Sequence, residues 1–195
     1  MSDIREATPA DRAAVTTMLA RAFADDPAMS YIFPDPETRI RRLPKLFGLL
    51  FDDDAAGIRL ITGASEAATL WRRPGGAEVG TLTMLRVMLP MIATFGTALG
   101  RAMRVGNTIE EHFPAQPFWY LHIAGVDPAH QGKGLGSGSI REGLARTAGD
   151  GLPAYLETAT ERNVGLYQSL GFEVTGEYRV PKGGPKFWSM LRPAA

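Results

Sequence analysis

The stretch richest in chemistry is Gln131-Gly132-Lys133-Gly134-Leu135-Gly136-Ser137-Gly138. The branched and aromatic run 118–126 precedes it and a helical pattern follows, so a strand feeds the glycines and a helix leaves them. Glycine lets backbone approach a ligand closely, and the first N–H groups of a helix lack an intrahelical partner. The helix dipole adds partial positive charge at that end. The chemistry is therefore anion binding, with phosphate or pyrophosphate as the natural ligand. Two common phosphate loops do not fit. G-x-x-x-x-G-K-[ST] read on Gly132-Lys133 meets Asp127 where glycine is required and Gly134 where Ser or Thr is required. G-x-G-x-x-G read from Gly132 or Gly134 meets Ser137 or Ser139 at its third glycine.

The elements that must position this loop follow from pattern. Residues 3–7 read as a strand. Thr8-Pro9-Ala10-Asp11 opens a helix, and Val15, Met18, Leu19, Ala22 and Phe23 carry it to about Ala24, where Asp25-Asp26-Pro27 ends it. A short apolar piece, 29–33, leads to a second helix over about 37–51. Its apolar stripe is Leu43, Leu46, Phe47 and Leu50, and Arg39, Arg41, Arg42 and Lys45 read as its solvated face. Residues 58–62 and 67–71 form a hairpin. A helical segment of about 78–111 follows, broken near Pro90 and Gly106. Residues 118–126 and 154–157 are strands, with helices over 139–148 and 163–170, the latter stopped by Gly171. Residues 172–178 and 186–191 are the last strands. The class is α/β, in the layered α+β sense, and 195 residues suit one domain.

Composition removes several classes of function. Twenty-one Lys and Arg balance 21 Asp and Glu, which argues against a dedicated nucleic-acid binder. The chain has no cysteine, hence no disulfide, thiolate metal site or cysteine nucleophile. The N-terminus carries acids and no long apolar core, so a cytoplasmic protein is expected. Thr81–Gly100 leans apolar, but Arg86 and Pro90 interrupt it. Two buried helices explain it better than a membrane span.

The loop fits Q-x-x-G-x-G on Gln131, Gly134 and Gly136, after Val126-Asp127-Pro128. About thirty residues on come Leu156-Glu157-Thr158, Asn163 and Leu166-Tyr167-x-x-Leu170-Gly171-Phe172. Together these motifs resemble the coenzyme A site of the GNAT superfamily of N-acetyltransferases. Within it the chain is similar to the puromycin N-acetyltransferase group. The cues are Ala22-Phe23-Ala24-Asp25, Trp71-x-x-Pro74, His112-x-Pro114, Trp119-Tyr120-Leu121, Arg162-Asn163 and Val180-Pro181. The likeness is tight only over 118–192.

The resemblance implies a mixed, mostly antiparallel sheet with flanking helices, splayed where 118–126 meets 154–158. It implies one acetyltransferase domain, 1–195, with a helical acceptor-side insertion at about 79–112. It also implies acetyl transfer from acetyl-CoA to a small-molecule amine in a ternary complex, by a monomer or homodimer, without metal, nucleic acid or membrane. Cofactor contacts would come from Ala124, Gly125, Val126, Gln131, Gly132, Lys133, Gly134, Leu135, Gly136, Ser137, Asn163 and Tyr167. The Val126 N–H would polarise the thioester carbonyl.

Tyr167 is the candidate general acid, since a phenol of pKa about 10 is protonated at neutral pH. Glu157 is the first candidate base. His122 competes, because strict alternation puts Tyr120, His122, Ala124 and Val126 on one strand face. His112 is structural or lines the acceptor pocket, and His130 reads as solvated. Met84, Met88 and Met91 recur at helical spacing, as core or as an adaptable pocket. Trp71, Trp119 and Tyr120 could wall that pocket. The alternatives are a protein or peptide N-acetyltransferase and a non-catalytic acyl-CoA-binding module.

Overall fold

A computed structural model describes residues 3–75 and 89–194. Seven strands form one sheet: β1 (Ile4–Glu6), β2 (Ile58–Thr62), β3 (Ala67–Arg72), β4 (Trp119–Val126), β5 (Ala154–Thr158), β6 (Glu173–Arg179) and β7 (Lys186–Arg192). Their spatial order is β1-β2-β3-β4-β5-β7-β6, and every neighbouring pair is antiparallel except β4 with β5. This is the mixed, mostly antiparallel sheet expected.

The helices are α1 (Arg12–Ala22), α2 (Pro27–Ile32), α3 (Pro36–Asp53), α4 (Leu99–Glu110), α5 (Leu135–Thr147) and α6 (Arg162–Gln168), with residues 89–95 also helical. Helices α1 and α3 bury Val15, Met18, Leu19, Leu43, Phe47 and Phe51 with Leu70 and Ile123. Helix α5 buries Ile140 and Leu144 with Trp71, Trp119, Leu121 and Leu156. The two clusters define two faces of the sheet, an α1/α3 face and an α5 face. Among the described residues no helix is long and apolar enough to cross a membrane.

Several expectations need correction. Residues 27–32 are helical: Asp26 accepts the Ala28 and Met29 N–H groups (2.9 and 3.1 Å) and Pro27 takes the first helical position. Asp-Pro therefore caps the next helix as well as closing the last. Gly106 does not break α4, which runs through it. Arg39 and Arg42 do not form a purely solvated face. Arg39 is buried and donates to the Ala24 and Phe33 carbonyls (2.6 and 2.7 Å), and Arg42 donates to those of Ala93 and Thr94 (2.5 and 2.8 Å). Carbonyls at helix ends lack partners, and a long guanidinium reaches them. Met84, Met88 and the first part of the 81–100 run, residues 81–88, lie outside the described residues.

Candidate active site

β4 and β5 run side by side but pair only at Trp119↔Ala154 and Tyr120↔Tyr155. Beyond that point the strands diverge, leaving one edge of each unpaired. Successive N–H groups of a strand point to opposite edges. The Asp127 N–H donates to the Glu66 carbonyl on the β3 side (2.8 Å). The N–H groups of Val126 and Ala124 consequently face the gap. A cleft of about 910 Å³ opens there, walled by Phe23, Asp26, Ala124–Val126, the glycine loop, Thr160–Asn163, Leu166 and Tyr167.

The loop meets α5 earlier than pattern suggests, because the helix starts at Leu135 rather than Ser139. Gly134 is its N-cap at φ +75°, a left-handed conformation natural to glycine. A Cβ on Gly136 would stand 2.9 Å from Val126 Cγ2, so the helix start packs tightly against the end of β4. The first intrahelical bond runs from the Gly138 N–H to the Gly134 carbonyl (2.9 Å). The N–H groups before it are left for a ligand, at the positive end of a 13-residue helix. Arg21 pairs with Asp127 and ties the end of α1 to the turn before the loop.

Tyr167, on α6, lines the same cleft. Gly171 and Phe172 close the helix by donating to the Gln168 and Tyr167 carbonyls (3.0 and 3.1 Å). Burial pushes the phenol up to about 12, helped by the charge of Asp26 across the cleft. Asn163 also lines the cleft.

Glu157 is not in that wall. It shares the α1/α3 face with Tyr155, while its neighbours Ala154 and Leu156 pack toward α5. Tyr120 lies 6.2 Å from Tyr155, ring to ring. Burial pushes the Glu157 carboxyl up to about 8, and the phenols of Tyr120 and Tyr155 hold it from rising further. Its Oε1 is buried without a hydrogen-bond partner among the described residues.

This has a stability consequence. The unfolded carboxyl titrates near 4.5 and the native one near 8. Unfolding therefore releases a proton between those values, and Glu157 makes the protein less stable as pH rises through that window. Glu157→Gln should unfold at a higher temperature than wild type at pH 9, with the advantage shrinking towards pH 5. Thermal melts followed by circular dichroism at the two pH values check this.

Residues 95–172 match the model of the acetyltransferase (GNAT) family. Over its whole length the chain resembles the crystal structure of histone acetyltransferase HPA2 and related acetyltransferase from Corynebacterium glutamicum. The TM-score is 0.75 at 28% identity, covering 100% of this chain and 97% of that one. The chain has the GNAT acetyltransferase fold. A GNAT acetyltransferase from Brucella melitensis, crystallised with acetyl-CoA, shares it at TM-score 0.52 and 19% identity, covering 97% of this chain and 86% of that one. N-alpha-acetyltransferase RimI of Mycobacterium tuberculosis is 40% identical over 86 residues, 42% of this chain and 49% of that protein. The match thus spans about half the length of that curated relative.

Within the GNAT fold, some candidate residues stand away from where pattern puts them. Leu70 pairs with Ile123 and Trp71 with Leu121, so His122 is the extra residue of a β-bulge. The bulge resets the alternation. Ala124 packs toward α5 with Trp119 and Leu121, whereas Ile123 and Gly125 turn to α1/α3 with Tyr120. Tyr120 and Ala124 are therefore on opposite faces.

The His122 Nδ1 lies 2.7 Å from Asp54 Oδ2, and Arg72 Nε donates to Asp54 Oδ1 (2.6 Å). Burial pushes the Asp54 carboxyl up, but His122 and Arg72 outweigh it and hold the group below the usual range. His112 stacks on Tyr178 at 3.7 Å. His130 is half-buried in the cleft wall, and its Nδ1 has no partner among the described residues, so it is not a solvated loop histidine. Trp71 and Trp119 belong to the core beneath α5 and wall no acceptor pocket. Met91 packs against the α1/α3 core.

Sequence reasoning missed Asp26, Asp54 and Tyr178. Asp-Pro was the available signal for Asp26. Asp54 and Tyr178 become neighbours of His122 and Glu157 only through the sheet.

Proposed function

We propose that the chain is an acetyl-CoA-dependent N-acetyltransferase acting on the primary amine of a small molecule, as in the puromycin N-acetyltransferase group it resembles. Antibiotic-like amines belong to that class. One observation carries the reading: the β4/β5 gap opens beside the Gly134-capped helix, so that free loop N–H groups, the gap-facing Val126 N–H and the Tyr167 phenol border one cleft. The residues fit the cofactor, since an anion-binding helix start and an unpaired strand edge are what a pyrophosphate and a pantetheine amide chain need.

Acetyl-CoA supplies the activated acyl group. The N–H groups of residues 132–137 hold the pyrophosphate, with Gln131 and Lys133 at the loop's flank and Asn163 across the cleft. The Ala124–Val126 edge aligns the pantetheine, and the Val126 N–H stabilises negative charge on the thioester oxygen. As the amine nitrogen bonds to the acyl carbon and the C–S bond breaks, Glu157 takes the nitrogen's proton, directly or through one water. Tyr167 gives its proton to the leaving sulfur.

Glu157→Gln should lower kcat by about 10²–10³-fold. It should also remove the rise in rate that ionisation of a carboxyl near pH 8 gives the wild type. His122→Ala should keep that rise. A profile unchanged in the Gln variant would move the base to His122, which Asp54 already orients.

The likeness to RimI favours a second acceptor class, a protein N-terminus. The family model leaves the first 94 residues unmatched, and these include α2 and α3 on the acceptor side. A panel of small primary amines, puromycin among them, beside short peptides with free N-termini separates the readings by CoA thiol release. Release with small amines supports the proposal and release with peptides alone supports the second reading. Silence throughout would leave an acyl-CoA-binding module.

A further inference from the structure

Two buried polar atoms on the α1/α3 face have no hydrogen-bond partner among the described residues: Glu157 Oε1 and the Tyr178 hydroxyl. An orphaned buried polar atom is costly, and a pair of them on one surface marks a place that a polar group fills. The sheet register brings them together. Glu157 pairs with Ser189 on β7, and Ser189 pairs with Gly176 on β6, two residues from Tyr178. Ser189, between the two strands, turns its hydroxyl to the Gly176 carbonyl (3.2 Å), and Gly176 itself presents no side chain.

The Tyr178 ring is held by stacking on His112 (3.7 Å) and on Phe187 (5.7 Å). The hydroxyl position is therefore fixed. The Tyr155 hydroxyl lies against the His112 carbonyl, to which it donates (3.0 Å). Phe113 and Phe118 pack edge-on to Tyr155 and Tyr120, which makes the surroundings aromatic.

We propose that Tyr178 is a positioning residue for the acceptor: the attacking nitrogen lies between Glu157 Oε1 and the Tyr178 oxygen, donating one N–H to each. This rests on the N-acetyltransferase reading and adds a substrate rule to it. A neutral primary amine has two N–H donors and one lone pair. Both donors are used here, and the lone pair is left to attack. An N-alkylated amine has one donor, so it leaves one buried oxygen unpaired, and a site built on such pairing discriminates strongly against that.

The test uses benzylamine and N-methylbenzylamine, chosen for the aromatic surroundings. Tyr178→Phe should lower kcat/KM for benzylamine about tenfold, the loss of one hydrogen bond, and barely change it for N-methylbenzylamine. Acetyl-CoA affinity by calorimetry should stay unchanged. Equal losses for both amines, or none, would overturn the proposal.

A second measurement does not need turnover. Protein labelled with ¹³C at tyrosine Cζ and glutamate Cδ is saturated with CoA, and the Tyr178 and Glu157 signals are assigned from the Tyr178→Phe and Glu157→Gln variants. Benzylamine should move both signals, and N-methylbenzylamine should move the two less equally. If neither signal moves, a trapped water fills the space and the proposal falls. Signals that move without acetylation would instead sink the catalytic reading and leave the amine site standing.

Discussion

Gly134→Asp is expected to abolish acetyl-CoA binding in a protein that still folds. Gly134 caps α5 at φ +75°, where Asp and Asn are the side chains best tolerated after glycine. The nearest atom to a Cβ there is Ser137 Oγ at 3.9 Å, so the side chain has room. Its carboxylate would stand where the first-turn N–H groups of Leu135–Ser137 point, opposing a pyrophosphate with like charge. Gly134→Asn has nearly the same shape without the charge and should keep measurable affinity. Calorimetry on both variants, with circular dichroism to verify folding, separates charge from shape. An Asp variant that binds as wild type does would remove the pyrophosphate from this loop.

Tyr167→Phe should lower kcat by about 10²–10⁴-fold with little change in acetyl-CoA affinity. The hydroxyl acts only as the sulfur gains charge, so its loss is felt in the transition state rather than in the bound cofactor. With its pKa pushed up to about 12, the phenol stays protonated across the working range. The loss should therefore be the same at pH 6.5 and pH 9, unlike that of Glu157→Gln. Single-turnover thiol release at the two pH values tests this, and full activity in the Phe variant would mean that the thiolate leaves unassisted.

Local signals made the scaffold legible. Pro9, the Leu43/Leu46/Phe47 stripe, the hairpin over 58–72 and the Gly171 stop each act within a few residues. Each of those elements lies where pattern places it, within two or three residues. What failed depended on partners distant in sequence. Arg39 and Arg42 look like a solvated face until the carbonyls of residues 24, 33, 93 and 94 fold against them. The bulge at His122 cannot be read from β4 alone, because it is a count of residues against β3.

The same holds at the candidate site. The glycine loop and the Leu166–Phe172 run are continuous, so they could be read in full. The surroundings of Glu157 are assembled from β4, β5 and β6, three segments scattered over 60 residues, and no motif joins Tyr120, Glu157 and Tyr178. His122 seemed to share a face with the cofactor edge only because alternation was assumed unbroken.

The claim on which the account turns is that the β4/β5 gap holds the thioester and the glycine loop holds the pyrophosphate. A crystal structure of the wild-type protein with acetyl-CoA addresses it directly. The account predicts the pyrophosphate on the N–H groups of residues 132–137, the pantetheine along Ala124–Val126, and the thioester oxygen on the Val126 N–H, with the Tyr167 hydroxyl next to the sulfur. A cofactor bound outside the gap, or β4 and β5 zipped together beyond Tyr120↔Tyr155 around an empty cleft, would contradict it.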